Sequence, residues 1–273
     1  MMIALSIAPQ GSAACAALDL LPVNAALVLG LMTALWALSV LKRDASIIDP
    51  WWSMAFLLVT GNTVWRTGPT PGKTLLLGLV SLWALRLFVH LVKRSIGKPE
   101  DPRYAAFRKA AGPSWWWKSL FQVFMLQGAL VLIISAPLQV AAAAAPPDPV
   151  SLPDLVGALI FAIGFAFEAI GDAQLQAFRN DPSCKGKVLD SGLWHYTRHP
   201  NYFGEAVLWW GYWLFCLDQS HGACTVFGPI LMTFLLLRVS GVTMLDAHLS
   251  ATRPGYAEYV RRTSGFIPRK PLD

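Results

Sequence analysis

Seven apolar runs, at roughly residues 21–41, 47–65, 74–92, 119–140, 154–177, 201–217 and 225–245, constrain this 273-residue chain more than any other feature. Each is about 17–24 residues long, the length a helix needs to cross roughly 30 Å of hydrocarbon. Helices are the default in lipid, which offers no partner to exposed backbone groups. The chain is 55% hydrophobic and only 14% charged, against about 25% charged in a soluble domain. The sequence therefore predicts an all-α polytopic membrane protein of about seven transmembrane helices. It is expected to form a single domain over 1–273, with residues 1–20 as a short tail.

The basic residues predict the orientation. Of the 22 lysines and arginines, 18 fall in the turn at 41–46, the loops at 93–118 and 178–200, and the C-terminal tail. Arg66 and Lys73 lie in loops opposite, and Arg86 and Arg238 lie inside spans. This alternation predicts an outside N-terminus and a cytoplasmic C-terminus. It also explains the net charge of +6 without nucleic acid. MMIALSIAPQGSAACAALDL lacks the basic start of a signal peptide. The four cysteines form no CxxC and no zinc spacing.

Ionisable groups inside spans cost about 2.5–3.5 kcal/mol each on insertion scales, so they are candidate functional residues. Arg86, His90 and Arg94 stand at i, i+4 and i+8 on one face of the third span. Glu168 and Asp172 repeat the i, i+4 spacing in the fifth, continued by Gln176. Glu205 opens the sixth, Arg238 lies in the seventh with Asp246 at its end, and Asp49 opens the second. Groups near helix ends, Asp49, Arg94 and Asp246 among them, can snorkel to the interface, and Arg86 with Glu168 or Asp172 can form a pair that only fixes packing. A cluster on the same halves of four spans predicts instead a polar cavity open to the cytoplasm.

The stretch SGLWHYTRHPNYFGE (191–205) lies at the mouth of that cavity. Arginine forks suit phosphate oxygens, acids and Asn suit hydroxyls and carboxamides, and aromatic faces suit flat rings. Together they describe a dinucleotide. No G-x-G-x-x-G follows a strand, so any such site lies among membrane helices. His195 and His199 stand four apart, but Pro200 breaks the helix there and no third ligand is near, so no metal is expected. No G-x-S-x-G elbow occurs.

GLWHYTRHPNYFGE, with GFAFEAIGDAQLQAFRND upstream and GVTMLD and RPGYAEYVRRTSGFIP downstream, resembles the steroid 5-alpha-reductase-like membrane proteins, in the bacterial branch labelled DUF1295. IIDPWW and LWALRLFVHLVKR resemble it too, and the likeness runs from about residue 40 to the end. It implies a seven-helix, NADPH-dependent reductase of a carbon–carbon double bond conjugated to a carbonyl in a steroid- or isoprenoid-like lipid. The lipid enters from the bilayer and NADPH from the cytoplasm, in a bacterial inner membrane. Residues 154–273 are the implied cofactor-binding part. The implied cofactor contacts are Asp172, Arg179, Asn201 and Glu205, with Glu168 on the same stripe. Arg198, His199 and Tyr202 join them by neighbourhood, followed by Arg238, Arg253 and Tyr256.

In the animal steroid reductases a Glu and a Tyr polarise the substrate ketone. Here Trp83 stands at the Tyr place and Asp49 is the nearest acid, so the implied catalytic set is Asp49, Trp83 and His90. Trp donates an N–H but does not transfer a proton as a phenol does. The isoprenylcysteine carboxyl methyltransferases share a similar C-terminal block, which makes an S-adenosylmethionine-dependent methyltransferase the alternative.

Overall fold

The computed structural model describes residues 12–239, 246, 249 and 253–272. The chain divides into two compact units, Met1–Ser151 with Phe215–Thr225, and Leu152–Leu214 with Val226–Asp273. Among the described residues the secondary structure is helical apart from an isolated bridge between Thr197 and Ser264.

The first unit begins with α1 (Ala13–Lys42). Of the expected 1–20 tail, residues 1–11 lie outside the described residues. The helix starts inside that tail because Ser12 accepts a hydrogen bond from the Cys15 N–H and caps the first turn. Helices α2 (Ile48–Thr67) and α3 (Pro71–Ser95) follow as hairpins. The basic loop expected at 93–118 contains α4 (Pro102–Ala111), for which Asp101 supplies the N-cap and Pro102 the first-turn proline. Then come α5 (Trp115–Ser119), a π-turn (Leu120–Met125), α6 (Leu126–Ile134) and α7 (Ala136–Ala142). Phe56, Val59, Leu76, Val80 and Trp83 pack where α2 meets α3 and are fully buried or nearly so. A buried polar knot ties α1, α2 and α7. Asn24 donates to Thr63 (3.1 Å) and Gln139 (3.0 Å) and accepts from Asn62 (2.7 Å), so its amide is satisfied where water is absent.

The second unit is built on α8 (Leu152–Asn180) and α10 (Pro200–Leu214), joined through the short α9 (Leu193–Tyr196). Helix α11 (Phe227–Phe234) runs into a π-turn (Leu235–Val239), and α12 (Tyr256–Arg262) lies near the C-terminal end. Glycines recur every seven residues on both main helices, Gly157, Gly164 and Gly171 against Gly204 and Gly211. A Cβ on Gly164 would sit 2.5 Å from the Gly204 carbonyl oxygen, and one on Gly204 would sit 2.4 Å from the Glu168 nitrogen. The two backbones therefore touch, as small residues allow between membrane helices.

Among the described residues four helical stretches are long and apolar enough to cross a membrane: Ala13–Lys42, Pro71–Ser95, Pro102–Ile134 and Leu152–Asn180. The other expected spans differ for local reasons. Helix α2 has 20 residues but carries Asp49, Asn62, Arg66 and three tryptophans. Helix α10 has 15 residues, roughly 22 Å at 1.5 Å per residue. The last run is described only to residue 239, and its 240–245 portion lies outside the described residues.

Candidate functional site

The glycine seam brings two acids of α8 against the start of α10. Glu168 and Asp172 are buried on α8. Gly171 lets Pro200 approach, since a Cβ there would lie 3.1 Å from the proline ring, and Pro200 starts α10 with Asn201 next. The Asn201 side-chain N–H donates to an Asp172 oxygen at 3.1 Å. Its carbonyl oxygen is buried and has no hydrogen-bond partner among the described residues. A buried amide oxygen without a donor carries a desolvation cost, and a ligand N–H or O–H relieves it. Glu205 stands one turn along from Asn201, half-buried.

The loop before α10 is fastened from its other side. Arg198 makes four hydrogen bonds: to both oxygens of Asp246 (3.3 and 2.7 Å), to the Val260 carbonyl (3.1 Å) and to the Thr263 carbonyl. Asp246 is also bonded to the His199 ring nitrogen Nε2 (3.2 Å) and accepts from the Tyr256 hydroxyl (2.6 Å). Burial alone would raise the Asp246 carboxyl, but the bonds from His199, Arg198 and Tyr256 outweigh it and hold it well below the usual carboxylate range. Burial and the same bond push the Tyr256 phenol up. The His199 ring lies parallel to Tyr202, 5.6 Å between centroids. Around this hub Thr197 donates to the Phe266 carbonyl (2.8 Å), the Arg269 N–H to the Tyr196 carbonyl (3.1 Å), and Tyr259 to the Trp194 carbonyl.

The structure thus gathers Glu168, Asp172 and Asn201 at the seam, and Arg198, His199 and Tyr256 at Asp246. Arg179, Arg238 and Arg253 are exposed, and the latter two make no side-chain hydrogen bond among the described residues. Arg198, expected to face phosphate, spends its guanidinium inside the protein. His195 lies near the Asp190 carbonyl (3.2 Å), so it and His199 serve different partners.

In the first unit, Asp49 sits in the first turn of α2 and accepts from the Tyr104 hydroxyl at 2.6 Å and from Arg103 at 3.2 Å. Gln127 of α6 donates to the Tyr104 oxygen at 3.2 Å. Trp83 is fully buried on α3 with its ring 5.9 Å from Phe56. His90 lines a groove along α3 with Leu82, Leu85, Arg86, Val89 and Lys93. The sequence reading missed Tyr104 and gave Asp246 no ligand-site role. A proline-capped helix start, EDPRY, was the local sign of the first. An acid closing a span was the sign of the second.

A family model described as a protein of unknown function (DUF1295) matches residues 35–263. No curated protein matches the chain.

Proposed function

The chain belongs to the DUF1295 family, to which the steroid 5-alpha-reductase-like proteins also belong, and on that premise we propose that it is a membrane-embedded, NADPH-dependent reductase. Its substrate is a lipophilic molecule with a carbon–carbon double bond conjugated to a carbonyl, and the protein sits in a bacterial inner membrane. The proposal includes seven spans, with the C-terminus and the cofactor site on the cytoplasmic side. Four long apolar helices support the membrane setting.

The observation that carries the reading is the buried, unpartnered Asn201 oxygen beside Asp172. Asp172 holds the Asn201 amide with its N–H turned toward the acid, so the oxygen is left to accept from a ligand. A carboxamide N–H or a ribose hydroxyl provides that donor. Glu168 and Glu205 add acceptors on neighbouring turns of the same seam. The exposed Arg179 and Arg253 suit phosphates. These residues fit a nicotinamide dinucleotide, which when bound supplies hydride to the activated alkene. The parallel His199 and Tyr202 rings offer a flat wall at the lip. In the first unit the Asp49–Tyr104 pair holds a proton at the Tyr104 oxygen, with Gln127 fixing that oxygen's position.

One observation favours a second reading. Arg198 is consumed by Asp246 and two backbone carbonyls, which removes a phosphate partner, and S-adenosylmethionine has no phosphate. The test is to titrate the purified protein separately with NADPH, NADH and S-adenosylmethionine, following nucleotide fluorescence or heat. The proposal expects saturable NADPH binding that Asn201→Ala weakens. Binding of S-adenosylmethionine alone overturns it in favour of a methyltransferase.

A further inference from the structure

One end of the first unit carries a charge imbalance that the reductase reading does not use. The α3–α4 connection is tied to the α1–α2 turn. Glu100 accepts from the Ala45 N–H at 2.7 Å, the Asp101 N–H donates to the Ser46 hydroxyl at 3.4 Å, and Arg103 reaches Asp49. Trp36 of α1 donates to the Trp116 carbonyl at 2.7 Å, which brings the start of α5 to the same end. The acids here are already engaged. Glu100 pairs with Arg108, Asp101 and Asp49 pair with Arg103, and Asp44 caps the turn at Ser46. Lys42, Arg43, Lys93, Arg94, Lys98, Lys109 and Lys118 are exposed, and none makes an ion pair among the described residues. Arg94 lies close enough to favour the charged forms of Asp49 and Asp101, yet the exposed cations of this end outnumber its acids.

Two further features show what kind of anion fits. Large apolar side chains stand beside the cations: Trp116 is 57% exposed, Phe121 63% and Ile96 71%. Lys118 lies over the Trp117 ring at 5.8 Å. Exposed indoles interleaved with lysines match the boundary of a bilayer, where an amphipathic ring sits among headgroups. Along α3 runs a groove of about 500 Å³ lined by Leu82, Leu85, Arg86, Val89, His90 and Lys93. It climbs one helix face over twelve residues, from Leu82 to Lys93 beside Arg94. Leu82, Leu85 and Val89 give an acyl chain an apolar strip to lie along, which a free phosphate does not use.

We infer that this end of the first unit is a binding site for an anionic phospholipid, with the headgroup phosphate on Lys93, Arg94 and Lys98 and one acyl chain in the α3 groove. The attraction comes from cations near a negatively charged leaflet, and the groove selects a lipid over a soluble anion. The inference does not depend on which cofactor the second unit binds.

The test uses the full chain in a non-ionic detergent, following its thermal unfolding midpoint as lipid is added. Phosphatidylglycerol should raise the midpoint saturably, while phosphatidylcholine and inorganic phosphate leave it unchanged. Added salt should weaken the effect. The triple variant Lys93→Gln/Arg94→Gln/Lys98→Gln should bind phosphatidylglycerol about a hundredfold more weakly, since each surface cation contributes roughly fivefold. The matched variant Lys185→Gln/Lys187→Gln, which removes charge elsewhere, should bind as the wild type does. If the triple variant does not fold, Leu85→Trp replaces it. That variant fills the groove and should weaken long-chain phosphatidylglycerol but not a short-chain form. Equal response to phosphatidylcholine, equal response to phosphate, or unchanged affinity in the charge and groove variants overturns the inference. NADPH titration of the same variants keeps the two sites apart, because cofactor affinity should not move with them.

Discussion

The Asp172 carboxylate accepts a hydrogen bond from the Asn201 amide at 3.1 Å, and the bond exists because the helices bearing them touch backbone to backbone at Gly164 and Gly204. A methyl group on Gly204 would meet the Glu168 nitrogen at 2.4 Å and the Gly164 oxygen at the same distance. Neither is the movable end of a side chain. Gly204→Ala should therefore force the helices apart and cost about 1–3 kcal/mol or more. Gly30→Ala on α1, where nothing lies within 4 Å, should be neutral or slightly stabilising. Unfolding midpoints of the two variants, measured together, check the seam.

Loss of Arg198 should hurt stability before any ligand is considered. Arg198→Ala strips Asp246 of two charged bonds and leaves two carbonyls without a donor. Breaking one side of a largely buried pair costs about 3–5 kcal/mol. Arg198→Lys should rescue little, because an ammonium cannot reproduce the fork. Unfolding in the absence of nucleotide reads this directly. A variant as stable as the wild type would return Arg198 to the ligand.

The Asp246 carboxyl titrates well below its ordinary value. A group whose folded pKa is depressed contributes stability above its unfolded pKa, about 3.9, and loses it as pH falls through the folded value. The destabilisation caused by Asp246→Asn should thus be constant from mildly acidic to neutral solution and shrink only in strong acid. Tyr256, shifted upward, works in the other direction. Its contribution is complete below about pH 10 and fades only in strong alkali. Stability of Asp246→Asn and Tyr256→Phe across pH separates the two partners.

Asn201→Ala removes both the bond to Asp172 and the buried acceptor. Under the reductase reading, NADPH affinity should fall about ten- to a hundredfold, the range for a hydrogen bond next to a charge. Affinity is measured by titration, with folding confirmed by an unchanged helical signal.

Tyr104→Phe deletes the hydroxyl between Asp49 and Gln127. Asp49 loses a donor and Gln127 an acceptor, so the variant should be destabilised by about 1–3 kcal/mol while NADPH affinity stays the same. An unchanged unfolding midpoint would remove the Asp49–Tyr104–Gln127 chain as a support of the first unit.

The membrane character was legible in the sequence. Long apolar runs have few fates, whereas the glycines seven apart on α8 and α10 took on meaning only once the structure set the two helices together. Asp172 was legible as an acid inside a span and Asn201 as a polar group at the cavity mouth, but nothing local announces their contact across 29 positions. Arg198 shows the limit most clearly. A sequence displays a guanidinium but not the carbonyls of Val260 and Thr263 that consume it. Tyr104 was hidden for a related reason. Its partner Asp49 lies 55 residues away, and only the folding of the basic loop into α4 brings them together. The shortness of α10 was hidden too, because the apolar run continues past Leu214 while the helix does not.

The contacts that pin the 190–199 loop set an order on the making of this protein. Tyr196, Thr197 and Arg198 are held by backbone at 260, 263, 264, 266 and 269. Helices α8 and α10 can meet as soon as both have formed. The loop between them is not fully fastened until residue 269 has been made. A chain clipped before that point would keep the glycine seam of α8 and α10 but lose contacts that shape the loop between them.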